Sequence, residues 1–145
     1  MESYSHGEFD ITGIVAHIPD GIDSASRIND VWKQRSDDAV SQTIVWINHQ
    51  SMHAVYYNYD SWWYDMLIGM MTDHDSIQTN DKLITLTIPA QNYRYMTIVW
   101  GFPDSISQSW DTINAMPINE LPRIHGYDLE MYNEAYTECT IAVSV

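Results

Sequence analysis

The sequence predicts an α+β fold: duplicated strand–helix–strand–strand units that form a mostly antiparallel sheet with two helices packed on it. Three observations carry this expectation. Several short segments rich in Val, Ile, Thr, Tyr and Trp alternate with period two, two other stretches follow helical spacing, and their order repeats after Pro89. One such unit would leave a sheet edge and an apolar face uncovered. Two paired units, about 7–88 and 89–145, cover both within one domain spanning 1–145.

Residues 8–18, EFDITGIVAHI, read as a strand with an internal Gly13, closed by the PDG turn at 19–21. Asp23 is placed to cap a helix in which Ala25, Ile28, Val31, Trp32 and Arg35 follow helical spacing, ending near Asp37–Asp38. Strands follow at 43–47 (TIVWI), 53–59 (HAVYYNY) and 62–72 (WWYDMLIGMMT), the last with an ambiguous period. Residues 73–82, DHDSIQTNDK, are polar and turn-rich and read as a loop. The segment 83–88, LITLTI, alternates with Ile84, Leu86 and Ile88 on one side.

Beyond Pro89 the pattern starts again. NYRYMTIVWG at 92–101 is a strand ending in glycine, and Asp104 is expected to cap a second helix marked by Ile106, Trp110 and Ile113. YDLEMY at 127–132 is a strand. The tail alternates with Cys139, Ile141, Val143 and Val145 on one face.

Composition bounds the function. Twenty Asp and Glu against six Lys and Arg give a net charge of −14, and phosphate backbones need clustered bases, so nucleic acid is a poor partner. The acids are scattered, which fits a solubilising surface or a field that concentrates cations. No apolar run reaches the ~20 residues of a membrane helix, and the polar start MESYSHGEFD is not a signal peptide. The single Cys139 fits a reducing, cytoplasmic setting. No Gly-rich phosphate loop, Walker lysine or nucleophile elbow is present, and no motif asks for a cofactor. His49 and His53 are four apart, but the spacing straddles a turn between strands, so no metal site is expected.

Six tryptophans and ten tyrosines stand against two phenylalanines. A core needs only apolar rings, whereas Trp and Tyr bring polar edges that need partners. Trp32 and Trp110 fit helical core positions, but VYYNYDSWWY at 55–64 is too dense for every ring to be buried in one core. An aromatic ligand pocket and an interaction surface both remain open on this ground. In the strand 127–132, alternation sets Tyr127, Leu129 and Met131 opposite Asp128, Glu130 and Tyr132. Glu130 is then either a solvated strand acid or a buried carboxylate. With so few bases in the chain, a buried Glu130 would await an external cation or a proton-transfer task.

The stretches FDITGIVAHI, INDVWKQ, HAVYYNY, WWYDMLIGMMT, LTIPAQNYRYMTIVWG and the terminal run from SWDTINAM to IAVSV occur in a specific order and spacing. In that order the chain resembles the effector-binding domain of AraC-type and MerR-type multidrug regulators, also called the gyrase-inhibitor-like domain. The resemblance spans nearly the whole chain and implies a pocket between the two halves. It also implies a ligand-meeting glutamate in an E-x-Y strand, which Glu130 and Tyr132 match. By motif and alternation, Tyr57, Trp63, Tyr95 and Trp110 are the candidate aromatic walls. Two departures stand out. Ser144 occupies a position usually held by proline, with little consequence expected for the pocket, and WGFPDSI lacks the usual charged segment at one pocket edge. Read as starting at Met1, the chain has no room for a helix-turn-helix, so direct transcriptional control is not expected.

Three functions follow from the resemblance. The preferred one is a stand-alone, cassette-borne bacterial binder of lipophilic, cationic small molecules. The second is a hydrolase of strained-ring electrophiles with Glu130 and Tyr132 in catalysis. The third is a gyrase-protecting interaction protein; a separate regulator is a further partner to consider.

Overall fold

In the computed structural model, residues 1–19, 21, 24–35, 52–72 and 83–145 are described. Among these residues there are eight strands: β1 (Glu2–His6), β2 (Phe9–Pro19), β3 (Met52–Tyr57), β4 (Trp63–Thr72), β5 (Ile84–Ile88), β6 (Gln91–Ile98), β7 (Asp128–Tyr132) and β8 (Cys139–Ser144). Helix α1 (Ser24–Arg35) follows β2, and helix α2 (Asp104–Ala115) follows β6. All eight strands join one sheet in the order β1-β6-β8-β7-β3-β4-β2-β5, with antiparallel pairing throughout. The succession β2-α1-β3-β4 is repeated by β6-α2-β7-β8, and β3 meets β7 at the centre of the sheet. The fold is therefore the α+β arrangement the sequence predicts. The expected capping residue Asp23, the strand 43–47 and the loop 73–82 lie outside the described residues.

Alternation builds two apolar layers. On the helix-bearing face, Ile14 and Ile18 of β2, Ala54 of β3, Ile68 of β4, and Cys139, Ile141 and Val143 of β8 pack with Val31 of α1 and Ile106 and Ile113 of α2. On the opposite face, Ile11, Val55, Leu67, Leu129 and Ala142 are each at most 1% exposed although neither described helix packs on them. Chain connectivity explains their burial. β1 is first in the sheet and β2 seventh, about 29 Å apart if the sheet were flat, at six spacings of ~4.8 Å. Yet only Gly7 and Glu8 link them, and His6 to Phe9 can span at most ~11 Å. The link from β5, last in the order, to β6, second, is equally short at Pro89–Ala90. The sheet is thus rolled, its two ends brought together over the helix-free layer, where Tyr4, Phe9, Leu86 and Tyr95 complete the packing.

One strand adds to the expected set, and one expectation, the cap of α2, needs correction. The polar start forms β1, which pairs with β6 from Glu2↔Tyr95 to His6↔Gln91 and stacks Tyr4 on Tyr93 at 5.2 Å. Asp104 does not cap α2: Pro103 holds the N-cap position and makes no side-chain capping bond. Backbone carbonyls do the capping instead, with Ser105 N donating to Gly101 O (2.9 Å) and Ile106 N to Pro103 O (3.1 Å). Asp104 becomes the first helical residue, where its charge favours the positive end of the helix. Ile84, Leu86 and Ile88 keep the expected alternation along β5, with burial deepening from the exposed Ile84 to the buried Ile88.

Candidate functional site

Glu130 stands at the middle of the sheet. Its strand β7 is flanked by β3 and β8, in register Ala54↔Glu130 and Glu130↔Ile141, so small or aliphatic neighbours leave the space above it clear. The side chain is only 3% exposed. Three groups donate to it, and all three are neutral. Tyr56 Oη (2.9 Å, from β3) and Trp110 Nε1 (2.6 Å, from α2) share Oε1, and Tyr132 Oη (2.5 Å) takes Oε2. A carboxylate offers about four lone-pair sites, so roughly one remains for a further partner.

Burial pushes the Glu130 carboxyl above its ordinary range, and the bonds from Tyr132, Trp110 and Tyr56 pull it partly back. Burial, reinforced by the Glu130 charge, holds the Tyr56 and Tyr132 phenols well above theirs, so both stay protonated as donors. The same two causes push the Cys139 thiol up to about 12.

Over Glu130 lies a cavity of about 800 Å³ between the two helices and the sheet. Strand-borne Tyr56, Tyr64 and Tyr132 and the loop residue Tyr59 form its floor and one side, Ile28 and Trp32 of α1 another, and Ile106 and Trp110 of α2 a third. Phe102 and Pro103 of the WGFPDSI segment close one edge, and Arg123 and Tyr136 complete the wall. The rings contact one another: Trp110 meets Tyr56 at 5.4 Å, Trp32 meets Tyr132 at 5.5 Å, and Tyr64 lies 5.9 Å from both Tyr56 and Tyr59. Such a wall presents negative ring faces to an occupant.

Asp128, two residues before Glu130 on the same face, is wholly buried but differently served. Ser144 donates to its Oδ1 through both backbone N (2.7 Å) and Oγ (2.9 Å). Its Oδ2 accepts from Tyr59 Oη (2.7 Å) and Arg123 Nη2 (2.6 Å). Ser144 thus anchors Asp128 through an N–H that a proline would not have. One buried acid of this strand is neutralised; the other is not.

Of the residues singled out in the sequence, Glu130, Tyr132 and Trp110 come together in the cavity. Tyr57, Trp63 and Tyr95 do not line it. Tyr57 faces the helix-free layer and stacks on Tyr127 at 5.7 Å, one residue out of phase with Tyr56. Tyr95 packs in the same layer beside Tyr4 (5.2 Å) and donates to Glu2. Trp63 lies against His17 at 4.0 Å at the end of the β2–β4 pair. Tyr56, Tyr59 and Tyr64 take the places assigned to them. The phase was readable in one detail: Ala54, small and two residues from Tyr56, leaves room on the side where the carboxylate stands.

Among the described residues no three His, Cys, Asp or Glu side chains group as a metal site. No described helix is long and apolar enough to cross a membrane.

Solved structures share this architecture. An integron cassette protein from the mobile metagenome of Vibrio cholerae is 16% identical, over 99% of this chain and 94% of the other, with a TM-score of 0.79. A protein solved bound to tetraphenylphosphonium is 13% identical over 99% and 92%, with a TM-score of 0.81. A hydrolase from Listeria innocua is 9% identical over 99% and 90%, with a TM-score of 0.51. At these identities the likeness is one of fold. No curated protein matches the sequence. Residues 6–144, nearly the whole chain, match the Cass2 family, described as integron-associated effector binding proteins. This chain belongs to that family.

Proposed function

We propose that this protein binds lipophilic cations of drug size in the cavity between its helices, with Glu130 as the counter-charge. The observation that carries the reading is a carboxylate 3% exposed, served by three neutral donors, on the floor of a cavity walled by tyrosine and tryptophan. A buried anion without an opposite charge is costly, and an arriving cation relieves that cost, whereas a neutral ligand of the same shape does not. Each ring that faces the cation adds roughly 0.5–2 kcal/mol according to its desolvation. The volume of about 800 Å³ lies within the range of small-molecule sites. The tetraphenylphosphonium bound by a protein of the same fold is a ligand of this class.

The test is a titration followed by tryptophan fluorescence, since Trp32 and Trp110 both line the cavity. Tetraphenylphosphonium is expected to bind, and neutral triphenylphosphine oxide to bind at least about tenfold more weakly, a difference of ~1.4 kcal/mol. Glu130→Gln should remove that preference. Affinity for the cation should also fall as pH drops through the raised Glu130 pKa, because protonation removes the counter-charge, and the Gln variant should show no such fall. Equal affinity of wild type and Glu130→Gln for the cation overturns the proposal.

One acceptor site left on Glu130 favours a second reading, in which the carboxylate activates water against a strained-ring electrophile. A cyclopropane-bearing alkylator gaining the mass of one water, with the gain abolished in Glu130→Gln, would replace binding by turnover.

A further inference from the structure

The cavity is roofed in part by α2, and the donor that α2 sends to Glu130 is the indole N–H of Trp110. A hydrogen bond of 2.6 Å from a helix to a strand requires that the helix be held at one height above the sheet. Among the described residues lining the cavity, Arg123 is the only Lys or Arg, and it touches both sides of that gap.

Its side chain is 10% exposed and comes from the segment between α2 and β7. Toward the sheet, Nη2 donates to Asp128 Oδ2 at 2.6 Å. Asp128 is itself immobilised, with Ser144 N, Ser144 Oγ and Tyr59 Oη all donating to it. Toward the helix, Nη1 donates to Asn114 Oδ1 at 2.7 Å, and the guanidinium carbon lies 5.9 Å from the centre of the Trp110 ring. Trp110 and Asn114 are four apart and so share one side of α2. One planar fork therefore grips the last two turns of the helix and anchors them to the strand that carries Glu130. An ammonium on a flexible stem has no such pair of fixed directions.

We infer that Arg123 is a positioning residue: held by Asp128, it fixes the height of α2 so that Trp110 reaches Glu130. Asp128 also keeps the cation from serving Glu130, whose side-chain donors remain the three neutral ones. Ser144 belongs to the same device, because its backbone N–H is one of the anchors of Asp128. The consequence for affinity rests on the binding function proposed above; the geometry does not.

Two variants of the full chain test it. Arg123→Lys keeps a charge for Asp128 but cannot grip Asn114 and cover Trp110 at once. The double variant R123M/D128N removes both charges together and leaves no buried acid alone. The readout is the indole N–H signal of Trp110 in a ¹⁵N–¹H spectrum, assigned by its loss in Trp110→Phe. In wild type it should lie downfield, as a carboxylate-bonded donor does. In both variants it should move toward the signals of Trp62 and Trp100, which are 78% exposed and should stay in place. A Trp110 signal unmoved in both variants overturns the inference; should the double variant fail to fold by circular dichroism, Arg123→Lys decides alone. Where wild type binds tetraphenylphosphonium, each folded variant should bind it about tenfold more weakly, the equivalent of ~1.4 kcal/mol. Absence of binding by wild type would sink the proposed function, and the indole signal would still decide the role of Arg123.

Discussion

Glu130 ties the stability of this protein to pH. Its folded pKa is raised above the ordinary value of 4.5, so the folded chain holds that proton more tightly than the unfolded chain does. The contribution to stability is complete below the unfolded pKa and is lost as pH rises through the folded one. Urea denaturation between pH 4.5 and pH 8 should show wild type losing this contribution relative to Glu130→Gln, which cannot ionise there. In that variant the amide oxygen can keep the bonds from Tyr56 and Trp110 while the amide nitrogen turns to Tyr132 Oη. A constant difference between the two proteins across the range would rule the linkage out. Much of this residue's setting was legible: alternation in YDLEMY put Glu130 with Asp128 and Tyr132 against Leu129 and Met131, as the two apolar layers bear out. The identity of its donors was not, because Tyr56 and Trp110 lie 74 and 20 residues away on other elements. Alternation says which residues share a face, and with aromatic rings on both faces of β3 the reading took Tyr57 where the structure places Tyr56.

Among the elements, β2 and β4 depend on two glycines that face each other, in register Gly13↔Gly69. A Cβ on Gly69 would sit 2.1 Å from the carbonyl oxygen of Thr12, and one on Gly13 would sit 2.0 Å from that of Ile68. The obstacle in each case is backbone inside a paired strand, which cannot swing aside. Gly69→Ala should cost about 3 kcal/mol or more, the upper range for overpacking, as read from denaturant midpoints. Gly7→Ala, where nothing lies within 4 Å of the added carbon, is the control and should change stability by under ~1 kcal/mol. A mild effect at Gly69 would mean that the two strands can part locally. The strands with apolar alternation were readable within a few residues of their ends, and α2 was marked correctly by Ile106, Trp110 and Ile113. β1 was not, since SYS carries one apolar ring and its reason for being a strand is the free edge of β6. The cap of α2 was misread because Asp104 follows a turn whose own carbonyls already accept the first N–H groups.

At the scale of the whole molecule, the repeat seen in the sequence becomes a sheet order that reads alike from either end, β1-β6-β8-β7 mirrored by β5-β2-β4-β3. The central β3–β7 pair is where the two successions meet, and it is also where Glu130 stands. What the sequence could not convey is the rolling of the sheet, which depends on where the strands lie rather than on what they contain. The two short links that force the roll have a further consequence, for time rather than shape. They join strands from opposite ends of the sheet, so strands adjacent in the chain at these points are not the ones that pair. Pairing must instead join Glu2 to Tyr95, Gly13 to Ile84 and Ala54 to Glu130. Among the described strand pairs, only the β3–β4 and β7–β8 hairpins can form from nearby residues. Closing such distant partners delays the rewarding contacts, and stopped-flow refolding should proceed in milliseconds to seconds, as in proteins dominated by non-local pairing. Refolding within microseconds would show that the roll forms by another order. The cavity therefore depends on one of these distant pairings, β7 against β3, and exists only once that pairing has closed.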